Sequence, residues 1–540
     1  MDLRFDARLC LLAASLLVSM LPARAGTLDV RTDKGEVRGR LSADGRAREF
    51  LGIAYAAPPV GRLRWRPPMP MRRSTTVREA TRFGPRCLQE HQFSDMRFRD
   101  AGGSEDCLTL NVWTPARPQQ AKLPVMVWIY GGGFLAGATS EPRQDGAHLA
   151  ATMRVIVVSM NFRQGIFGFF ALPALAAESA HAAAGNYGLM DQAAALRWVR
   201  RNIGAFGGNP DNVTIFGESS GSYSVSVLMA SPAARGLFAR ASGESGSALG
   251  GPELPFPTLA VAEKTDLAFV RATLGTGDLR KLRALGAREL LAASLRKVHG
   301  AGLTIVPDID GYFLPRRVAE IYAAGEQAHV PLLAGWNRDE GSFAMLAQKT
   351  PPTIASIRTV AARDFGPAAG EFLRWYHAAN DADARRVAQD YAGDRFIAYS
   401  TWAWLDAQAR TGGAPVYRYR FDRESPGDPN HPAALGAFHS DDIEYVFGTL
   451  DSRLGAKWRP ADYRLSELMQ RYWTQFAQTG NPNGAGLPDW PQYRAAGGWP
   501  AMHLDAAPAA RRAAHRGRYL FLQKEWSRPT ADAAQQKPAQ

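Results

Sequence analysis

The stretch that most constrains how this chain folds is residues 212–229, which reads as a short apolar strand, a sharp turn and a run of small residues able to continue as a helix. Ser219 lies at the apex of the turn, in the pentapeptide Gly-Glu-Ser-Ser-Gly. A serine hydroxyl is a weak nucleophile, so it has to stand clear of the backbone within reach of a base. The turn has room for it because Gly217 and Gly221 carry no side chains. The pattern predicts a nucleophilic serine, with a glycine-rich loop that ends a strand as the simpler alternative.

Apolar runs on either side of this turn predict the sheet that carries it. Residues 124–130 and 155–160 are nearly continuous apolar segments, as strands buried on both faces are. A helix is predicted over 189–203, and two further strands over 330–335 and 416–421. Alternating strands and helices are typical of a mostly parallel sheet with helices on both faces. We therefore predict an α/β fold built on one large twisted sheet.

The remaining segments complete the predicted architecture. Alternating residues over 27–57 predict an antiparallel hairpin or meander, and residues 519–522 predict a closing strand. Residues 250–300 change character and predict a helical insertion at the carboxyl edge of the sheet, where it would build walls for a substrate. We expect one folded domain over residues 26–527 and a disordered tail over 528–540.

The N-terminus has the pattern of a secretory signal peptide. Arg4 and Arg8 precede the apolar run 9–21, and the small residues of Ala-Arg-Ala follow, so cleavage is predicted before Gly26. The apolar run is about 13 residues long, too short for a membrane anchor. No later stretch of the sequence is long and apolar enough to span a bilayer. We therefore expect residues 1–25 to be removed and the protein to be secreted or periplasmic.

Charge and cysteine usage narrow the class of function. The net charge is +13, but the basic residues are scattered, without the runs typical of nucleic-acid binding. The surplus fits an arginine-biased composition, with a preference for anionic substrates as the alternative. Cys87 and Cys107 remain after signal cleavage, and in an oxidising compartment a bridge between them is favoured over two free buried thiols. Neither cysteine has the pairing of a zinc site, and no metal or organic cofactor is expected.

A glycine run after a predicted buried strand supplies the next part of the chemistry. Acyl transfer creates an oxyanion, which is stabilised by backbone N–H groups already aimed at its position. Gly131, Gly132, Gly133 and Phe134 are placed to offer such donors, and the turn adds the N–H of Ser220. The rival is a phosphate-binding loop, but no Gly-Lys-Ser/Thr or Gly-x-Gly-x-x-Gly pattern supports it.

The base and the acid are less sharply defined by the residues alone. A histidine downstream of the serine is required, and His439 is one candidate, with His431 as its near rival. For the acid that orients the histidine, Glu340 and Asp339 are adjacent on a loop after an apolar strand, and pattern alone does not separate them. The order serine, acid, histidine matches the α/β-hydrolase arrangement.

A combination of short motifs is spread along the chain. These are Phe-Leu-Gly-Ile-Ala-Tyr-Ala (50–56), Arg-Leu-Arg-Trp-Arg-Pro-Pro (62–68), Ser-Glu-Asp-Cys-Leu (104–108), Gly-Gly-Gly-Phe (131–134), Asn-Phe-Arg (161–163), Gly-Asn-Tyr-Gly-Leu-Met-Asp-Gln (185–192), Phe-Gly-Gly-Asn-Pro (206–210), Gly-Glu-Ser-Ser-Gly (217–221), Asn-Arg-Asp-Glu-Gly (337–341) and His-Ser-Asp-Asp-Ile-Glu-Tyr (439–445). With these motifs the sequence resembles, from about residue 27 to 525, the type-B carboxylesterase family, which includes the cholinesterases.

The resemblance implies an α/β-hydrolase fold, helical insertions over the active site and a serine esterase that acts through an acyl-enzyme on small-molecule esters. Position by position it implies the catalytic residues, the oxyanion donors, the disulfide and a buried serine that supports the acid. These are Ser219 as nucleophile, Glu340 as acid, His439 as base, Gly132, Gly133 and Ser220 as donors, Cys87 with Cys107, and Ser245 behind the acid.

The chain departs from the family pattern at three places that bear on the substrate. Ser220 stands where the family usually has alanine, and Ser222 where glycine is common. Cholinesterases carry a tryptophan for quaternary ammonium between the bridged cysteines, whereas residues 88–106 offer only Phe93 and Phe98. This argues against choline esters. An amide, a lipid or a bulky polyester or polycarboxylate metabolite is the alternative substrate, and a non-catalytic adhesion module is the remote alternative function.

Overall fold

Residues 28–117, 122–298 and 302–527 are described by a computed structural model of the protein. The predicted signal peptide and the predicted tail lie outside the described residues. The strands are β1 (Asp29–Thr32), β2 (Gly35–Arg38), β3 (Arg40–Leu41), β4 (Ala47–Ala54), β5 (Arg78–Glu79), β6 (Arg86–Cys87), β7 (Gly103–Ser104), β8 (Thr109–Pro115), β9 (Leu123–Ile129), β10 (Ile156–Met160), β11 (Gly208–Glu218), β12 (Arg240–Glu244), β13 (Leu332–Asn337), β14 (Val416–Phe421), β15 (Ala501–Leu504) and β16 (Ala509–Arg511).

Helices fill most of the connections between these strands. They are α1 (Ala147–Met153), α2 (Gly165–Gly168), α3 (Pro173–Glu178), α4 (Tyr187–Asn202), α5 (Ser220–Ala230), α6 (Leu259–Leu274), α7 (Leu279–Ala284), α8 (Ala287–Ser294), α9 (Val318–Ala323), α10 (Ser342–Leu346), α11 (Ile354–Phe365), α12 (Ala369–Trp375), α13 (Asp381–Gly393), α14 (Tyr399–Thr411), α15 (Ile443–Phe447), α16 (Pro460–Thr479) and α17 (Arg516–Trp526). A π-helical segment, Asp394–Ala398, joins α13 to α14.

Within the described residues, eleven strands form one sheet in the order β16-β15-β14-β13-β12-β11-β9-β10-β8-β4-β3. Neighbours from β10 to β15 run parallel, and the pairs at both edges are antiparallel. Strands β9 and β10 are buried along nearly their whole length, as strands covered by helices on both faces are. The predicted α/β architecture with a mostly parallel sheet is confirmed.

The register of the parallel strands aligns the chain segments that follow them. Glu218, the last residue of β11, lies beside Glu244 at the end of β12. Glu244 in turn lies beside Gly335 of β13. Because parallel strands place their carboxyl ends at one edge of a sheet, the three segments after β11, β12 and β13 emerge side by side.

A buried ion pair ties this edge of the sheet to α4. The guanidinium of Arg163 donates two hydrogen bonds to the Asp191 carboxylate, each of 2.8 Å, and the Arg163 backbone N–H donates a third of 3.1 Å. Both side chains are almost fully buried. Breaking such a pair leaves a charge without compensation, which destabilises a protein strongly. The motifs at 161–163 and 185–192 thus meet in one structural contact.

The closing strand predicted over residues 519–522 is wrong, because this segment belongs to helix α17. Short apolar runs do not distinguish a strand from a buried helical turn. Tyr519 and Leu522 are buried while Leu520 is exposed, and the Tyr519 ring stacks on Trp402 at 5.4 Å. The sheet edge is formed instead by β15 and β16.

The opening hairpin and the predicted disulfide are both confirmed. Strands β1 and β2 pair antiparallel near the N-terminal end of the described residues. Cys87 and Cys107 are bridged, which closes the loop over residues 88–106. Such a cross-link restricts the unfolded chain and stabilises the fold by about 3 kcal/mol for a loop of this order.

Candidate active site

The turn between β11 and α5 holds Ser219 in a strained backbone conformation. Its φ of 54° and ψ of −126° lie outside the regions that side-chain-bearing residues favour. A Cβ at Gly217 would lie 2.6 Å from the Ile129 carbonyl oxygen, and one at Gly221 would lie 1.9 Å from the same atom. Both positions therefore require glycine, as predicted, because β9 passes directly against the turn.

Three side chains from distant parts of the chain form a hydrogen-bonded relay at this turn. Nε2 of His439 lies 3.0 Å from Oγ of Ser219. Nδ1 of the same ring lies 2.7 Å from Oε2 of Glu340. These distances are those required between a nucleophile, its base and the group that orients the base. The predicted residues Ser219, Glu340 and His439 are thus brought together.

The alternatives that the sequence left open take other places. Asp339 pairs with Arg338 at 2.7 Å and accepts a hydrogen bond of 2.9 Å from the backbone N–H of Ala437. It therefore supports the loop that carries His439. His431 lies 2.9 Å from Oδ2 of Asp428 and stacks on Phe438, with no hydrogen bond to Ser219.

Two donors hold the inner oxygen of the Glu340 carboxylate. Oγ of Ser245 donates to Oε1 at 2.6 Å, and the backbone N–H of Asn337 donates to the same oxygen at 2.9 Å. Ser245 follows β12, whose register beside β11 and β13 places it behind the acid. The role that the resemblance implied for Ser245 matches this contact.

The glycine run after β9 presents unused backbone donors to the pocket. Among the described residues, the N–H groups of Gly132, Gly133 and Ser220 donate no hydrogen bond to the protein. Gly132 has a φ of 115°, and a Cβ there would lie 2.1 Å from the Ala136 carbonyl oxygen. Free N–H groups beside a serine nucleophile are what an oxyanion hole requires.

The extra hydroxyl at position 220 has a structural contact. Oγ of Ser220 accepts a hydrogen bond of 3.3 Å from the backbone N–H of Phe134, the residue after the glycine run. Ser220 is 4% exposed. The hydroxyl therefore joins the glycine run to the start of α5, and the departure from alanine leaves the backbone N–H of Ser220 available.

A second carboxylate, which the sequence analysis did not assign, faces His439. Oε1 of Glu218 lies 3.2 Å from Nε2 of His439. That oxygen makes no hydrogen bond with the described residues, so its effect on the ring is electrostatic. Glu218 directly precedes Ser219 in the pentapeptide, and this position is the signal in the sequence that could have indicated its place near His439. Phe396, which no pattern indicated, packs edge-on against the ring of His439 at 4.8 Å.

Burial and charge act on Glu218 and His439 together. Burial raises the pKa of Glu218 above its usual range. Burial alone would lower the pKa of His439, but the carboxylates of Glu218 and Glu340 outweigh it and raise the pKa of the imidazole. Because a proton on either group cancels the charge that the other senses, the two groups titrate as a pair.

Ser219, Glu340 and His439 open into a cavity of about 830 Å³. Its walls carry apolar side chains from the disulfide-closed loop and from the helical region after β13. These are Phe93, Met96, Phe343, Ile357, Val360 and Phe396. Charged side chains also line the cavity, among them Asp95, Arg143, Glu253, Arg363 and Arg395.

The prediction that residues 250–300 build the substrate walls is wrong for the described residues. This segment is helical, as expected, in α6, α7 and α8. Within the described part of the segment, however, only Glu253 reaches the cavity, and α10, α11 and α13 supply the wall. One cause is that α7 packs on the N-terminal region instead. There Arg64 donates a hydrogen bond of 2.9 Å to the carbonyl of Leu285, the residue that follows α7.

The disulfide-closed loop offers one aromatic ring to the pocket. Phe93 lines the cavity, whereas Phe98 lies under the guanidinium of Arg86 at 4.7 Å. The aromatic face available from residues 88–106 is therefore that of a phenylalanine.

Comparison with known proteins gives a consistent result. The model of the carboxylesterase family matches residues 26–521. The fumonisin B1 esterase of Sphingopyxis macrogoltabida is 36% identical, over 88% of this chain and 87% of that protein. The para-nitrobenzyl esterase of Bacillus subtilis is 37% identical, over 86% of this chain and 92% of that protein. A solved structure of a PNB esterase superposes with a TM-score of 0.79 at 35% identity, covering 93% of this chain and all of that one.

The large mixed sheet, with its helices and the strand–turn–helix around Ser219, defines the protein as an α/β-hydrolase. The chain belongs to the carboxylesterase family, type B, and the two relatives above are named as esterases. Among the described residues, none of the helices has the length and apolar character needed to cross a membrane.

The contact between Glu218 and His439 predicts a change in pH dependence. In Glu218→Gln the negative charge beside the imidazole is lost, so the pKa of the base falls and the neutral form persists to lower pH. We expect the acidic limb of the kcat/KM profile on a nitrophenyl ester to move down by about 1 pH unit. Measurement of kcat/KM from pH 4 to 9 checks this.

Glu253→Gln is the matched control for this experiment. Glu253 lines the same cavity, but its side chain is 49% exposed, so solvent screens its charge. The acidic limb of the kcat/KM profile of Glu253→Gln should coincide with that of the parent. An unmoved or upward-shifted limb in Glu218→Gln would contradict the electrostatic role assigned to Glu218.

Proposed function

We propose that this carboxylesterase is exported after removal of residues 1–25 and hydrolyses small-molecule esters with a Ser-His-Glu triad through an acyl-enzyme. The observation that carries the mechanism is the relay from Glu340 through His439 to Ser219 beside unused backbone donors. The N-terminal charge pattern supports the export. The intact mass of the mature protein, starting at Gly26, tests the export separately from the chemistry.

In the proposed first step, Oγ of Ser219 attacks the ester carbonyl carbon while Nε2 of His439 takes the hydroxyl proton. The carbonyl oxygen becomes an oxyanion and accepts hydrogen bonds from the N–H groups of Gly132, Gly133 and Ser220. Glu340 stabilises the imidazolium through Nδ1, where the hydrogen bond of 2.7 Å already fixes the ring. His439 then gives its proton to the departing alcohol oxygen, and the acyl group remains on Ser219.

The second step repeats this proton transfer with water. His439 takes a proton from the water, whose oxygen attacks the acyl carbon, and the oxyanion forms again in the same donors. Collapse breaks the bond to Oγ of Ser219, and the proton on His439 returns to that oxygen. The products are the carboxylic acid and the original enzyme, so atoms and protons balance without a cofactor.

The shape of the cavity favours esters with a bulky apolar part. A volume of about 830 Å³ exceeds what a short acyl chain needs, and phenylalanine, isoleucine and valine side chains supply its apolar walls.

Bulky polyesters, among them polycarboxylate esters, are the second candidate class, because Arg363 and Arg395 also face the cavity. The Sphingopyxis relative is named a fumonisin B1 esterase, which makes fumonisin B1 a further test substrate for this chain. Measuring kcat/KM on a series of esters that varies chain length and charge, with matching amides, distinguishes the two substrate classes.

Replacement of the proposed nucleophile should abolish turnover and leave the fold intact. In Ser219→Ala we expect kcat on a nitrophenyl ester to fall about 10⁴-fold or more, because no other hydroxyl lies at Nε2 of His439 among the described residues. Ser222→Ala is the matched control, since that hydroxyl donates to the Gly246 carbonyl and not to the base. Circular dichroism and thermal unfolding check the fold of both variants. Near-parental rates in Ser219→Ala would rule out the proposed mechanism.

Two adjacent glycines allow a graded test of the oxyanion donors. In Gly132→Ala the new Cβ would lie 2.1 Å from the Ala136 carbonyl oxygen, so the backbone has to move. The N–H groups of the glycine run then no longer point at the position of the oxyanion. We expect kcat to fall about 100-fold with a smaller change in KM. In Gly133→Ala the new Cβ meets nothing within 4 Å, and only the strain of a φ of 65° is added.

The comparison of the two variants is the decisive measurement. Gly133→Ala should lose clearly less activity than Gly132→Ala in the same steady-state assay. Equal losses, or a larger loss in Gly133→Ala, would contradict the placement of the oxyanion at these donors.

A further inference from the structure

A second cavity of about 480 Å³ lies against the loop that carries Glu340. Glu340 itself forms part of its wall, together with residues at the ends of β13 and β14 and on α13 and α17. The lining is rich in arginine. The six arginines are Arg338, Arg385, Arg386, Arg418, Arg420 and Arg518, and the four carboxylates are Asp339, Glu340, Asp390 and Asp394.

Arg418 is one of the buried residues of this wall, and its guanidinium has no anionic partner among the described residues. Its side chain extends from β14, and the residue is only 7% exposed. Its guanidinium carbon lies over the ring of Trp336, 4.3 Å from the ring centre. Within residues 28–117, 122–298 and 302–527 the guanidinium makes no hydrogen bond or ion pair, and its Nε is a buried donor without an acceptor. A buried charge of this kind is costly unless an anion compensates it.

The carboxylates around the cavity do not supply that compensation. Asp394 is bound by Arg518 at 2.8 Å and by the Tyr376 hydroxyl at 2.7 Å. Asp339 is bound by Arg338 at 2.7 Å. Each of these acids is therefore already engaged by another cation.

Arg385 adds a second uncompensated cation, this time at the surface. It lies on α13, its side chain is exposed, and it forms no ion pair with the described residues. The neighbouring Arg386 has only a long contact of 3.5 Å to Asp390. A cation at the mouth and a buried cation inside are the arrangement that draws an anion inwards.

A histidine, His515, also lines this cavity, at a solvent-exposed position. Partial burial, and then the positive charges of Arg518, Arg420, Arg418 and Arg386, lower the pKa of His515 to about 4. The imidazole therefore stays neutral at pH 7 and can serve as a hydrogen-bond partner.

We propose that this cavity binds one oxyanion of the phosphate class, with Arg418 as its buried donor and Arg385 at its mouth. The Arg418 guanidinium is planar, so its N–H groups point outwards in one plane, as paired hydrogen bonds to a tetrahedral oxyanion require. The volume exceeds that of one phosphate ion, so a phosphate monoester fits as well as free phosphate. The site is separate from Ser219 and does not rest on the proposed esterase mechanism.

The test is calorimetric titration of the full-length mature protein with inorganic phosphate at pH 7.5, with ionic strength held constant by sodium chloride. We expect binding at one site per chain. In Arg418→Met the dissociation constant should rise about tenfold or more, because a charge-assisted pair of hydrogen bonds is lost. In the exposed variant Arg385→Gln, which removes only a surface charge, it should rise severalfold.

Arg464→Gln is the matched control, because Arg464 is an exposed arginine on α16 outside the cavity lining. Its dissociation constant should equal that of the parent. A competition experiment with glycerol 2-phosphate distinguishes a phosphate monoester from free phosphate as the ligand. Displacement of phosphate indicates a site for a monoester, whereas no displacement indicates a site for free phosphate. The proposal would be overturned if the parent showed no saturable binding of phosphate. It would also be overturned if the parent, Arg418→Met and Arg385→Gln bound phosphate with equal affinity. If Arg418→Met does not fold, Arg385→Gln decides the outcome alone.

Discussion

The register of three parallel strands is the constraint on which the active site depends. Strands β11 and β12 end opposite each other, and β13 pairs in parallel beside β12, so the segments after all three converge on one edge of the sheet. Ser219 follows the first, Ser245 the second and Glu340 the third, and the hydrogen bond of 2.6 Å between Ser245 and Glu340 results from this alignment. A slip of the register by one residue would reverse the faces of a strand and separate these side chains. His439 comes from a loop after β14 and completes the site.

The same alignment brings several carboxyl groups close to His439. Glu218 and Glu244 are neighbours in adjacent strands and both are buried. Burial raises the pKa of Glu244, whose Oε1 accepts a hydrogen bond of 2.8 Å from the Trp473 indole. Asp442 accepts from the Tyr419 hydroxyl at 2.8 Å. Protonated or hydrogen-bonded acids around His439 let the fold hold several carboxyl groups near one imidazole without strong mutual repulsion.

Local sequence signals predicted the parts of this protein that depend on neighbouring residues. The elbow at Ser219 is such a part, since its glycines are needed for contacts with the strand next to it. The buried strand over 416–421 was located to the residue. The choice between Glu340 and Asp339 could not be made from pattern, because the two are adjacent and only the hydrogen bonds of the folded loop separate them. The segment 519–522 was assigned wrongly for a related reason, since its helical state depends on packing against α14.

The sequence by itself determined the alternation of strands and helices, the serine turn, the glycine run and the cysteine pair, because each is encoded within a few consecutive residues or in a motif of fixed spacing. Only the tertiary structure decided which helices line the cavity at Ser219, that Glu218 faces His439, and that the Arg418 guanidinium has no anionic partner among the described residues. These features depend on distances between residues that lie far apart in the chain. Packing sets such distances, and no periodicity in the sequence records them.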